Sequence, residues 1–306
     1  MTRFLLGRLL WLVPVLLGIT FVTSSVLYLV PGDPAEVLLG EMATPAQIHA
    51  LRVKLHLNEG LLGRYGFYLS DLMHGDLGRS YQNNEPVATE IAQTFPLTAE
   101  LALAAWAMAC VAGSLLGVAA ALRPGSWIDV SITIISVTAL SIPVFWLGIL
   151  LVYLFASVWH LLPTGGVGGL RHLLLPAVTL AVPSTGIIAR FVAEGMGRAL
   201  GGDYVRTAAA KGLPRRTIVW KHAFRNAVIA AVTVMGLQLG ELLGGVVLVE
   251  TVFAWPGMGR LLFHAIGVRD LLLVQGITLV LAAVFVLVNL LVDLGYAIID
   301  PRIRLA

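Results

Sequence analysis

Seven Lys or Arg residues and one acid, Asp203, fall between Arg198 and Arg225. This is the one long interval between apolar segments that carries a concentration of cationic charge. Residue types and spacing point to a loop of defined shape here. Asp203 stands as an N-cap before a good helix-forming run, Tyr204 to Lys211. Lys211 lies at the negative end of that helix dipole, and Gly212 can take the left-handed conformation that closes the helix. Pro214, after Leu213, prevents simple continuation and suits the first turn of a second helix. The expectation is two short helices with Arg215 and Arg225 on the second. A loop that needed only charge would not need Ala208, Ala209, Ala210 and Gly212 in this order.

A second candidate lies in the apolar run that follows. Gln238 and Glu241 are three residues apart, and an ionisable residue inside a membrane span is costly enough to mark a pathway by default. Gly236, Gly240 and Gly244 repeat every fourth residue and predict a flat packing stripe on another face. The competing reading of Glu241 is a structural ion pair with Arg190, an ionisable residue in the preceding span.

Catalytic chemistry has no comparable support. The three lysines, Lys54, Lys211 and Lys221, follow Val53, Ala210 and Trp220, whereas a Walker A loop needs Gly before its Lys. There is no HExxH, no GxSxG and no His/Cys cluster at metal-ligand spacing, so neither a catalytic residue nor a metal site is expected. The single cysteine, Cys110, excludes an intrachain disulfide.

The elements that must position these residues are membrane helices. With 58% hydrophobic and 12% charged residues in 306, the chain reads as an all-α polytopic membrane protein. The pI of about 9.2 follows from the basic loop and does not call for a nucleic acid. Residues 1–30 carry Arg3 and Arg8 before an apolar run too long for a secretory signal, and form the first expected span. Pro31-Gly32-Asp33-Pro34 ends it and opens an extracytoplasmic region, 31–96, with helical signals of its own. Thr44-Pro45-Ala46-Gln47 has the form of a capping box, with Ile48, Leu51 and Leu55 at helical spacing, and a second amphipathic run covers 65–73.

Five more runs, near 97–122, 130–158, 173–193, 227–249 and 271–299, complete six spans within a core domain 97–306. Pro143 and Pro183 fall at membrane depth in the third and fourth. An even number of spans puts both termini and the loop 198–226 in the cytoplasm. Twelve Lys or Arg then face inward, Arg302 and Arg304 among them, against seven outward. Asp293, in the last span, is expected to serve an interfacial cation.

Several strings together resemble one family. DYVRTAAAKGL followed by HAFRNA resembles the EAA loop of ABC-importer membrane subunits, in the form typical of dipeptide, oligopeptide and nickel permeases. Arg206 and Thr207 replace the initial Glu and first Ala of the general pattern, while Ala208 and Gly212 keep its second Ala and its glycine. Ala209 departs from the Arg often found in this subfamily. PGDP, HGDLG, ETVFAWPGMGR and NLLVDLGYAIIDPRIR resemble the same family, so that the likeness covers essentially the whole chain.

The resemblance implies a type I importer permease fold and a transport subunit that is not itself an enzyme. It implies a homologous second permease, two ATP-binding subunits, a solute-binding protein outside and contact with membrane lipid. ATP and magnesium would reside in the partner ATPases, with no cofactor on this chain. Asp203, Tyr204, Arg206, Thr207, Ala208, Ala210, Lys211, Gly212, Arg215 and Arg225 would couple to the ATPase. Gln238, Glu241 and Trp255 would line the pathway. Di- or oligopeptides are the leading cargo, with nickel or a metallophore complex as the runner-up. An ATP-independent secondary carrier is the rival from another class, against which no clear inverted repeat of interrupted helices is found.

Overall fold

The computed structural model describes residues 2–29, 33–40 and 43–299. All regular elements among these are helical, joined by turns and one isolated bridge between Arg79 and Pro86. Pro31, Gly32, Arg302 and Arg304, and the side chain of Asp293, lie outside the described residues.

Contacts divide the chain into two compact units. The first joins the residues up to Thr98 with Pro256–Leu287. The second joins Ala99–Trp255 with the chain from Val288 onward.

In the first unit, α1 (Thr2–Leu29) is followed by three short helices, α2 (Pro34–Leu39), α3 (Pro45–Lys54) and α4 (Leu61–Met73). Asp33 caps α2 through its carboxylate, with Pro34 at the first helical position. At α3 the capping box forms as the sequence predicts: Gln47 N–H donates to Thr44 Oγ1, and Thr44 N–H donates back to Gln47 Oε1. Helix α4 leans on α1, where Tyr65 Oη donates to Leu17 O at 2.9 Å and its ring meets Phe21 edge-on. The first residues of α5 (Val87–Ala121) pack Val87 and Ile91 against Met258 and Ala265 of α12 (Met258–Gly267) and Leu273, Val274 and Ile277 of α13 (Leu271–Ile299). Gln275 donates to Ser24 Oγ at 2.8 Å, which ties α13 to α1 within this unit.

The second unit is built around α8 (Leu170–Leu200) and α11 (Arg225–Val252). Small residues let the backbones approach. A Cβ on Gly117 of α5 would lie 2.5 Å from Ala189 O of α8. One on Gly186 would lie 2.9 Å from Ser136 O of α6 (Trp127–Ser141).

The expected third span is not a single rod. It is α6 followed by α7 (Val144–Leu151), which continues as a π-helical turn Val152–Val158, and the two halves are bent by 106°. Pro143 supplies no N–H, and the residue before it, Ile142, is pushed to an extended conformation at φ −85° and ψ 125°. Among the described residues five helices are long and apolar enough to cross a membrane, and the bent pair makes a sixth span when counted as one. One boundary moves. The second spanning helix begins at Val87 and carries Pro96 inside it, although the sequence places the end of the outer region near Pro96. The fourth spanning helix, α8, keeps Pro183 within it.

Candidate functional site

The basic interval folds as α9 (Asp203–Ala210) and a helical turn α10 (Arg215–Thr217). Its first cap differs from expectation. Gly202, extended at φ −72° and ψ 149°, is the N-cap, and Asp203 is the first helical residue. Asp203 still favours the helix as an acid in the first turn, where it faces the positive end of the dipole. Its carbonyl accepts from Thr207 Oγ1, and its carboxylate lies 3.5 Å from Arg206.

The helix ends as predicted, on a left-handed glycine. Gly212 has φ +74°, its N–H donates to Ala209 O, and Leu213 N–H donates to Ala208 O. This pair of bonds is the Schellman closure, which satisfies carbonyls that a helix end otherwise leaves open. Pro214 then caps the next turn from just outside it.

The second expected short helix is not separate. Arg215–Thr217 runs into a π-helical segment Ile218–Phe224 and on into α11 at Arg225. Ile218, Val219 and Ala223 are buried, whereas Trp220 is exposed and stacks edge-on with Phe224. Ala208 is the buried residue of α9, which packs on the π-helical segment. Tyr204, Arg206, Thr207, Ala210, Lys211, Gly212, Arg215 and Arg225 are all exposed. The loop is therefore an exposed cationic surface whose second half, from Arg215, is continuous with α11.

Higher in α11, Gln238 Nε2 donates to Glu241 Oε2 at 2.8 Å. Gln238 is buried and Glu241 is exposed. Both line a cavity of about 450 Å³ with Ser184 and Pro183 of α8, Ile142 at the α6–α7 break, and Gly244. The ion pair with Arg190, the competing reading of Glu241, is not formed: Arg190 is exposed and lines another cavity, with Asp129 and Glu194.

The glycine stripe also departs from expectation. Gly236 is buried where a Cβ would meet Val292, but Gly244 is exposed on the Glu241 cavity with nothing near its missing Cβ. A four-residue repeat drifts by about 40° per step on a helix of 3.6 residues per turn, so the third glycine rotates off the seam. Gly245 packs against Leu180 instead.

Trp255 does not join the cavity. It is fully buried, in a segment turned back by Trp255 N–H donating to Glu250 O, while Gly166 N–H donates to Phe253 O. Sequence reasoning overlooked Ser184 and the extended Ile142, although Pro143 was the available signal for the latter.

The N-terminal model of the binding-protein-dependent transport system membrane components matches residues 1–102, and the model of the inner membrane component itself matches 113–305. The chain belongs to this family of inner membrane components. Its multi-pass character follows from the apolar helices described above. This permease is 40% identical over 332 residues to the dipeptide transport system permease protein DppB of Alkalihalophilus pseudofirmus, covering 99% of this chain and 100% of that one. It is 37% identical over 336 residues to DppB of Escherichia coli, covering 99% of each. A crystal structure of an amino acid ABC transporter with histidines superposes at a TM-score of 0.54 and 13% identity, over 68% of this chain and 94% of that one. This last likeness concerns the fold alone. Among the described residues no group of three or more His, Cys, Asp or Glu is placed to hold a metal.

Proposed function

We propose that this chain is one permease subunit of an ABC importer that carries di- and oligopeptides across the inner membrane. Tyr204 to Lys211 enters a groove on a partner ATPase, where ATP and magnesium reside. A homologous second permease completes the pathway, and a solute-binding protein delivers cargo from outside. Both termini and the 198–226 loop are cytoplasmic, and residues 31–96 face the binding protein. The 1–30, 31–96 and 97–306 division describes these tasks.

The observation that carries the mechanism is covalent continuity. The exposed helix α9 ends on Gly212, and from Arg215 the backbone stays helical through Val252, past Gln238 and Glu241. A push on α9 thus crosses the one turn at Gly212–Pro214 and then runs along continuous helix to the cavity wall. The π-helical segment inserts one extra residue per turn, a distortion that recurs at functional sites and can take up a small rotation of α11. The bend at Ile142-Pro143 lies on the same cavity, so movement of α11 alters its width.

The test is uptake of a radiolabelled dipeptide and of nickel by cells lacking the chain and by cells carrying it, with the ATPases co-purified on the tagged permease. Chain-dependent peptide uptake with co-purified ATPases is expected. Chain-dependent nickel uptake alone would move the cargo to the runner-up, and uptake without any ATPase would favour the secondary carrier.

A further inference from the structure

The cavity beside Glu241 continues along α8. Ser184, Ile187, Phe191 and Glu194 recur at intervals of three or four residues, with Arg190 beside Phe191, and form one strip of that helix. The upper part of the strip lines the Glu241 cavity, and the lower part lines a second cavity of about 400 Å³ closed by Asp129, Thr133 and Ala120. Leu140 and Ile187 belong to both walls, so the two cavities adjoin.

The first cavity holds one acid, Glu241, and the second holds one base, Arg190, beside two acids, Asp129 and Glu194. Gln238 occupies Glu241 Oε2, and no ion pair is formed by Glu241 or by Arg190 among the described residues. Neither acid forms an ion pair with Arg190. Asp129 accepts from Gly125 N–H at 3.0 Å, and Glu194 lies 3.5 Å from Arg198. A negative group and a positive group thus face adjoining spaces. Ser184 and Arg190 are six residues apart, or about 9 Å along the helix. An extended peptide advances about 3.4 Å per residue, so a chain of two to four residues spans that interval.

We propose that the adjoining cavities form a two-point site for a short peptide with free termini. Glu241, held by Gln238, receives the ammonium end, and Arg190 receives the carboxylate end through its fork of donors. This inference rests on the permease reading above and adds to it a site for the cargo within the membrane subunit. The apolar positions between the charges, Leu140 and Ile187, make no demand on side-chain chemistry, which suits a carrier of many sequences.

The experiment uses the complete complex in proteoliposomes with saturating loaded binding protein and follows ATP-driven uptake of trialanine, its C-terminal amide and its N-acetyl form. Comparing variants on the same loaded binding protein cancels that protein's own preference. Arg190→Gln should collapse the preference for free acid over amide by about tenfold, the size of one lost charge-assisted bond. Glu241→Gln should do the same for free amine over N-acetyl peptide, and each change should leave the other ratio in place. Equal loss for all three peptides, or no change, overturns the proposal. Failure of both Arg190→Gln and Arg190→Lys to assemble marks Arg190 as a structural residue and overturns it as well. The permease reading fails separately, by the wild-type complex showing no ATP-dependent uptake of any peptide.

Discussion

Ser80 Oγ donates to Asp270 Oδ2 at 2.6 Å across 190 residues of sequence, and both side chains are buried. The same oxygen accepts Tyr81 N–H at 2.8 Å, while Oδ1 accepts Leu273 N–H at 3.2 Å in the first turn of α13. Asp270 is thus an N-cap and a staple at once. It fixes the loop before α5 against the helix whose buried residues share its core.

Removing this carboxylate strands a buried hydroxyl and two buried amides. Asp270→Ala is therefore expected to cost about 3 kcal/mol, since each unsatisfied buried group costs roughly 1–3 kcal/mol. Ser80→Ala removes one donor from a carboxylate oxygen that keeps Tyr81 N–H, and should cost about 1 kcal/mol. Thermal unfolding of the purified complex, followed by aggregation of this subunit, ranks the two. An Asp270→Ala complex as stable as Ser80→Ala would contradict the staple.

Tyr68, on α4, is buried and its hydroxyl finds no partner among the described residues. Burial, with a smaller contribution from Tyr65, raises its pKa to about 12. The unfolded phenol titrates near 10. The folded state therefore holds its proton longer, and the associated stability is fully present below pH 10 and is lost as pH rises toward 12. Tyr68→Phe should leave stability at pH 7 unchanged or slightly higher, and should flatten the alkaline loss. A variant with the same alkaline midpoint as wild type would assign that loss to other groups.

The legible parts of this protein are those set by local chemistry. The capping box at Thr44 and the left-handed Gly212 each depend on neighbours a few residues away, and apolar runs reveal spans because lipid tolerates little else. Asp270 was illegible because an aspartate before a helix reads as a surface cap, and nothing local names Ser80 as its partner. The 106° bend was only half legible: Pro143 announces a break, but the angle follows from packing of α6 and α7 on α8. Gly244 misled because equal spacing in sequence is not equal direction on a helix. At the site, the stop at Gly212 and Pro214 was readable, whereas the N-cap at Gly202, the run of α10 into α11 and the separation of Arg190 from Glu241 required the fold.

Gly212→Val should uncouple transport while leaving the protein in the membrane. The φ of +74° is one that a β-branched residue resists, at a cost on the order of 1 kcal/mol or more. No neighbour lies within 4 Å of its Cβ position, so the penalty is conformational and acts on the aim of α9. Peptide uptake and ATPase co-purification, both normalised to membrane abundance, check it. Normal values of both would remove the cap from the coupling mechanism.

The proposed orientation can be read with an impermeant thiol reagent in a Cys110→Ala background. Gln82 and Arg216 are exposed, so cysteines there report accessibility and not burial. Gln82→Cys should react in intact spheroplasts, and Arg216→Cys only after permeabilisation. The reverse pattern would place the 198–226 loop outside and exclude docking to a cytoplasmic ATPase.

Glu241→Gln tests the charge on the cavity wall apart from its shape. The substituted amide can still accept from Gln238 Nε2, so the local hydrogen bond survives while the negative charge is lost. Because Arg190 lines a different cavity, no cation is stranded, and the penalty of leaving half of a buried pair does not arise. Assembly with the ATPases should therefore be unchanged, and peptide uptake should fall by about tenfold, corresponding to roughly 1.4 kcal/mol of lost interaction with a cationic group. Both are measured on one preparation, by subunit ratio after purification and by uptake in proteoliposomes. A fall in assembled complex that Arg190→Gln restores would show the two charges to be paired in the working transporter. Full assembly with unchanged uptake would leave Glu241 as a polar wall residue that the cargo does not read.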